Sequence, residues 1–134
     1  MSRYGPRIAA LERRAERDRV RLEDSDEEPQ VEEPAAYLRE GAGRAIWLYV
    51  EGRTGGRMVP FSAAELAALE RAMNAWFECY ALCHGIEIDA VFTIRDAAEL
   101  LLETHNVIET AQLLLGVPKH NPSNGGGRYG PGGQ

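Results

Sequence analysis

The chain is nearly without lysine: of its fifteen basic residues all but Lys119 are arginine. Eighteen alanines accompany them. A joint bias of this kind is what a GC-rich genome imposes, so it marks a source rather than an activity. Long apolar runs are missing too. Nothing approaches the roughly eighteen consecutive apolar residues that span a bilayer, and the arginine-rich first twenty residues lack the apolar stretch of a secretory signal. These absences predict no membrane association and a cytoplasmic protein, or a virion protein if the source is viral. Cysteine is scarce. Cys79 and Cys83 alone exclude a disulfide framework, and one helical turn apart they are expected to be reduced thiols.

Signatures of chemistry are equally thin. There is no Gly-x-Ser-x-Gly elbow, and the run Gly52 to Gly56 lacks the Gly-Lys-Ser/Thr of a phosphate-binding loop. Cys79-x-x-x-Cys83-His84 with His105 and His120 is the one set carrying ligand chemistry. Its spacing is poor for zinc: the two-residue separation is absent, and on a helix His84 points about a quarter turn from Cys83. The sequence therefore predicts a non-enzymatic protein with no catalytic residue, no cofactor and no metal.

What is present is a sharp segmentation. Residues 1–22 read as a basic helix-like arm, 23–43 as an acidic linker, 44–118 as a small globular α+β core, and 119–134 as a Gly-rich flexible tail. Seven arginines against Glu12, Glu16 and Asp18 leave residues 1–21 at +4, whereas eight acids against Arg39 leave residues 22–40 at -7. The arm has an apolar stripe of Ile8, Leu11, Ala15 and Leu22, interrupted by Asp18, and a helix this thinly apolar is marginal alone. A core of roughly 75 residues is close to the lower size that stabilises itself, so burial against a partner or a second copy is expected.

Within the core, Ile46, Leu48 and Val50 alternate with Trp47 and Tyr49, the pattern of a strand. Turn residues follow from Glu51 to Gly56, and Arg57-Met58-Val59 supplies a second short strand, so the pair predicts a β-hairpin. The strongest helix signal covers residues 63–84. Ser62 and Glu65 have capping-box spacing, Phe61 is placed to staple onto Leu66, and Gly85 ends the helix. Its large face is Leu66, Leu69, Met73, Trp76, Phe77 and Tyr80. A second, small-residue face of Ala64, Ala68, Ala75, Cys79 and Leu82 is free for close packing. Residues 86–91 read as a short third strand, Thr93 and Asp96 open a helix to about Glu103, and Asn106 caps another to Leu115, closed by Gly116. The expected fold is thus α+β and mostly helical: a β-hairpin packed on one long amphipathic helix and two shorter ones, with flexible arms at both ends.

Residues 92–101 and 109–117 each resemble the opening helix of a helix-turn-helix. The partner half is missing, because Pro118-Lys119-His120-Asn121-Pro122 makes no recognition helix and residues 85–117 sum to -5. Function is instead expected at surfaces. The tetrapeptide Arg-Tyr-Gly-Pro occurs at Arg3-Tyr4 and again at Arg128-Tyr129, residue types favoured at interface anchors. The expectation is a structural or interaction subunit of a larger assembly, a virion component being one concrete form. It would bind protein partners or itself through Arg3, Tyr4, Arg128, Tyr129, Ala68, Ala75 and Leu82. The alternative is a nucleic-acid-associated regulator whose Arg13, Arg14, Arg17 and Arg19 contact phosphate.

Overall fold

The structure, a computed structural model, describes residues 4–23, 34–54 and 61–116. It is built from helices: α1 (Gly5–Glu23), α2 (Ala35–Tyr37), a π-helical turn (Leu38–Ala42), α3 (Gly43–Thr54), α4 (Ala63–Cys83), α5 (Ile94–Thr104) and α6 (Val107–Leu115). No strand occurs among the described residues. This overturns the α+β expectation. The first strand of the supposed hairpin, residues 45–50, lies inside α3, while the second, residues 57–59, falls outside the described residues. Alternation misled because residues 45–50 are apolar at every position, which fits a buried helix as well as a strand. The discriminating signal is the polar stripe around them. Glu40, Arg44, Trp47 and Glu51 are exposed at helical spacing while Ala45, Ile46, Leu48, Tyr49 and Val50 are buried.

The α4 boundaries follow the sequence closely. The Ser62 side chain accepts from the Glu65 N–H at 3.0 Å, and the Glu65 carboxylate accepts from the Ser62 N–H at 2.9 Å, completing the capping box. Phe61 does not simply staple its own helix. Its ring lies 5.6 Å from that of Tyr4 and 6.2 Å from that of Tyr49, joining the starts of α1 and α4 to the end of α3. Thr93 and Asn106 cap α5 and α6 as expected, accepting from Asp96 and Glu109. Gly116 closes α6 in the left-handed region, at φ 72°.

The basic segment forms α1 and lies along α4. Glu12 pairs with Arg71, Asp18 with Trp76 and Arg19 with Glu78, at sequence separations of 59, 58 and 59, so the two helices run parallel. Tyr4, Ile8, Leu11, Ala15, Asp18 and Leu22 recur in alternating four- and three-residue steps. Leu69, Ala72, Trp76, Cys79 and Cys83 do the same on α4, the seam of a short coiled coil. Asp18, which breaks the apolar stripe in the sequence, occupies a seam position.

Trp76 is fully buried at the centre. Its Nε1–H donates to Asp18 Oδ2 at 2.9 Å, and the Arg14 guanidinium sits 5.3 Å from its ring centroid. The π-helical turn passes directly against it: a Cβ added at Gly41 would stand 2.5 Å from the indole Cδ2. The extra residue per turn closes through Gly43, whose N–H donates to the carbonyl of Leu38 five residues back. Arg14 then donates to the Glu40 carbonyl at 3.1 Å. One indole therefore fixes α1, the π-helical turn and α4 relative to one another.

Gly41→Ala is expected to lower stability by about 1–3 kcal/mol, the range for overpacking a filled core, because the contact is with a ring that cannot swing away. Urea unfolding of the variant checks this; an unchanged midpoint would mean that the turn does not pack on Trp76.

Candidate functional site

Two clefts flank α1 among the described residues. The larger, about 760 Å³, is walled by α1 and residues 90–92 and floored by α4. The smaller, about 330 Å³, lies between α1 and α3. They carry opposite charge. Glu12, Glu16, Glu70 and Glu78 outnumber Arg19 and Arg71 in the first, whereas Arg7, Arg14 and Arg44 outnumber Glu51 in the second.

Most charges of the larger cleft are committed to holding the fold. Arg71 Nε lies 2.6 Å from Glu12 Oε2, and Arg19 Nε donates to Glu78 Oε1 at 2.9 Å. Arg19 Nη1 also makes an ion pair with Glu23 at 2.9 Å, without hydrogen-bond geometry. Burial works to discharge Arg19, but the hydrogen bond to Glu78 and the charges of Glu23 and Glu78 outweigh it, so its pKa is raised. Across the cleft from α1, α4 engages the chain leading to α5. Glu78 Oε2 accepts from the Ala90 N–H at 2.8 Å, and Glu70 Oε2 from the Ile94 N–H at 3.0 Å. Between them Asn74 accepts from the Phe92 N–H at 3.2 Å and donates to the Phe92 carbonyl at 3.0 Å. Four residues of helix rise about 6 Å and two residues of extended chain about 6.6 Å, so the two repeats keep step. Residues 86–91, expected as a strand, form none; from Ala90 through Phe92 to Ile94 the chain is bonded to side chains of α4 in place of a partner strand. Burial over residues 86–91 alternates as a strand's does: Ile86, Ile88 and Ala90 turn inward, and Glu87, Asp89 and Val91 outward.

The smaller cleft is open. Trp47 is 48% exposed on α3 beside Arg44, which is also exposed. Arg7 reaches Glu51 at 3.9 Å and stands 5.4 Å from the Tyr4 ring centroid. Trp47, Arg44 and Arg7 were not among the residues singled out from sequence, because a strand assignment hides the stripe that unites Arg44, Trp47 and Glu51.

The residues that were singled out fare differently. Arg3, Arg128 and Tyr129 lie outside the described residues. Tyr4 is only 3% exposed and belongs to the aromatic cluster with Phe61. Ala68 is buried and Ala75 and Leu82 are half-buried. Arg71 and Glu78 on one side and Trp76 on the other, all bonded to α1, bracket Ala68, Ala72, Ala75 and Cys79 at helical spacing, so α1 lies along the small-residue face. Of the phosphate candidates, Arg13 and Arg17 are exposed, whereas Arg14 and Arg19 serve Trp76 and Glu78. No three of His, Cys, Asp and Glu are placed together so as to hold a metal ion among the described residues, and no helix there is long and apolar enough to cross a membrane.

The thiols are not poised for reaction. Burial, with the nearby Asp18 charge, pushes Cys79 from an ordinary 9.0 up to about 12, and burial pushes Cys83 upward as well. The thiolate is the reactive form, and the fold disfavours it.

A family model described as "Domain of unknown function (DUF8055)" matches residues 2–119. No curated protein and no solved structure matches the chain.

Because the native state holds Cys79 protonated where the unfolded chain would ionise, its contribution to stability is complete below pH 9.0 and is lost as pH rises toward about 12. Urea titrations across that range should show wild-type stability falling relative to Cys79→Ala; parallel curves would place Cys79 in a wetter site.

Proposed function

The chain belongs to the DUF8055 family, whose model spans both α1 and the core, and we propose that this domain is a non-enzymatic interaction subunit that docks on other proteins through the Trp47 face of α3. The observation that carries the proposal is a tryptophan left 48% exposed beside an exposed arginine, on a helix whose other large apolar side chains are buried. Tryptophan and arginine dominate the energetics of protein interfaces because they bury much area at small entropy cost and keep a polar handle. Trp47 makes no ring contact with another aromatic side chain among the described residues, and its exposed half is what a partner would bury.

A catalytic reading has less support. The larger cleft spends its carboxylates on arginines and backbone N–H groups, leaving little to move protons on a substrate, and the thiols are disfavoured as nucleophiles. Assembly with protein fits a net charge of -6 better than phosphate binding does, since two of the four candidate arginines are engaged inside the fold.

Trp47→Ala and Arg44→Glu should each remove the proteins that co-purify with the untagged wild type from its own source. Stability should change by no more than about 0.5 kcal/mol, as for exposed positions generally. Retention of the same partners by both variants would overturn the proposal. So would tight, salt-sensitive RNA or DNA binding that disappears in Arg13→Gln/Arg17→Gln.

A further inference from the structure

A second surface lies on the opposite flank of α1, independent of Trp47. Residues 90–94 run along α4 with the N–H group of every second residue turned toward it: those of Ala90, Phe92 and Ile94 are bonded to Glu78, Asn74 and Glu70. In an extended chain the intervening residues direct their N–H and C=O groups the other way. Among the described residues the backbone groups of Asp89 and Val91 have no hydrogen-bond partner. Val91 is 83% exposed, so this edge faces solvent. The larger cleft opens beside it, with Ala90, Val91 and Phe92 on its rim.

We infer that this edge is a β-augmentation site, which takes an extended segment of a protein partner bearing alternating basic and apolar side chains. An added strand is the occupant whose donors and acceptors repeat at the spacing of Asp89 and Val91. Its side chains are dictated by their neighbours, because residues paired across strands share a face. On the outer face they meet Glu87 and Asp89, both exposed and neither ion-paired among the described residues, so basic residues fit there. On the inner face they lie beside Ile88, Ala90 and Phe92, so apolar residues fit. The same charges argue against a second copy, since two such acidic edges would repel when paired.

The test uses the full-length chain, isotope-labelled, titrated with a blocked peptide of about six residues alternating Arg and Val, long enough to cover the edge. Saturable amide shifts are expected at Asp89 and Val91 and across the rim of the larger cleft. A Glu/Val peptide should bind at least about tenfold more weakly, as should an Arg/Val peptide N-methylated where it would bond the edge, each losing the equivalent of a hydrogen bond or ion contact. Val91→Pro removes one free-edge donor, keeps the preceding residue extended and spares the bonds to α4, and it should weaken binding to the same degree. If that variant alters the amide spectrum as a whole, Glu87→Lys with Asp89→Lys takes its place and should reverse the preference toward the Glu/Val peptide. Shifts confined to other residues, equal binding of the N-methylated peptide, an unchanged preference in the reversed variant, or self-association in place of peptide binding would each overturn the inference.

Discussion

The buried indole of Trp76 needs a hydrogen-bond acceptor, and the rest of the fold is arranged around supplying one. An unsatisfied buried N–H costs about 1–3 kcal/mol, a large share of what a domain this small can lose. Asp18 answers it from α1. Four residues earlier, Arg14 lies over the same ring and holds the Glu40 carbonyl, and Gly41 brings the π-helical turn into contact with the indole. A polar residue in a helical seam fixes register at some expense of apolar burial. Sliding α1 by one turn would separate Asp18 from Trp76, Arg19 from Glu78 and Glu12 from Arg71 together. The parallel register of α1 and α4 is therefore specified by polar pairs spread along the seam.

The helix α4 works as a template on two sides. Toward α1 it offers small residues, which permit close approach, bracketed by Arg71 and Glu78 on one side and Trp76 on the other, whose bonds to α1 lock the approach in place. Toward the α4–α5 connection it offers Glu70, Asn74 and Glu78, one per turn, which take up backbone groups that an isolated extended segment would leave unbonded. This has a functional consequence. A helix can satisfy only one edge of an extended chain, and the other edge is left as a surface. The exposed stripe of α3 is left over in the same sense, because its buried faces are taken up by the aromatic cluster and the core.

Legibility in the sequence followed the range of the interactions. Caps and stops are local, and Ser62 with Glu65, Thr93, Asn106 and Gly116 could be read directly. The alternation over residues 86–91 read as a strand; burial does alternate there, but no strand forms among the described residues, and nothing local reveals that side chains of α4 would take up the backbone groups from Ala90 onward. Residues 45–50 were misread because an all-apolar run carries no period of its own; the period is in Glu40, Arg44, Trp47 and Glu51, three of which lie outside that run. The place of α1 was the least legible. Its apolar stripe is thin, and Asp18 looks like a flaw until Trp76, 58 residues away, supplies the reason for it. Tyr4 shows the converse: its residue type suggested a docking anchor, but only the packing of Phe61 reveals that its partner belongs to the same chain.

If the Trp76 junction makes α1 part of the cooperative core, native-state hydrogen exchange of the full-length protein tests it most directly. The account predicts that amides of α1 in the turns around Ala15 and Asp18 exchange only through the same global opening that exposes the centre of α4, with matching free energies and denaturant dependence. Exchange of those amides through a separate, low-energy opening, while α4 around Trp76 stays protected, would contradict it and return the basic segment to the status of an arm.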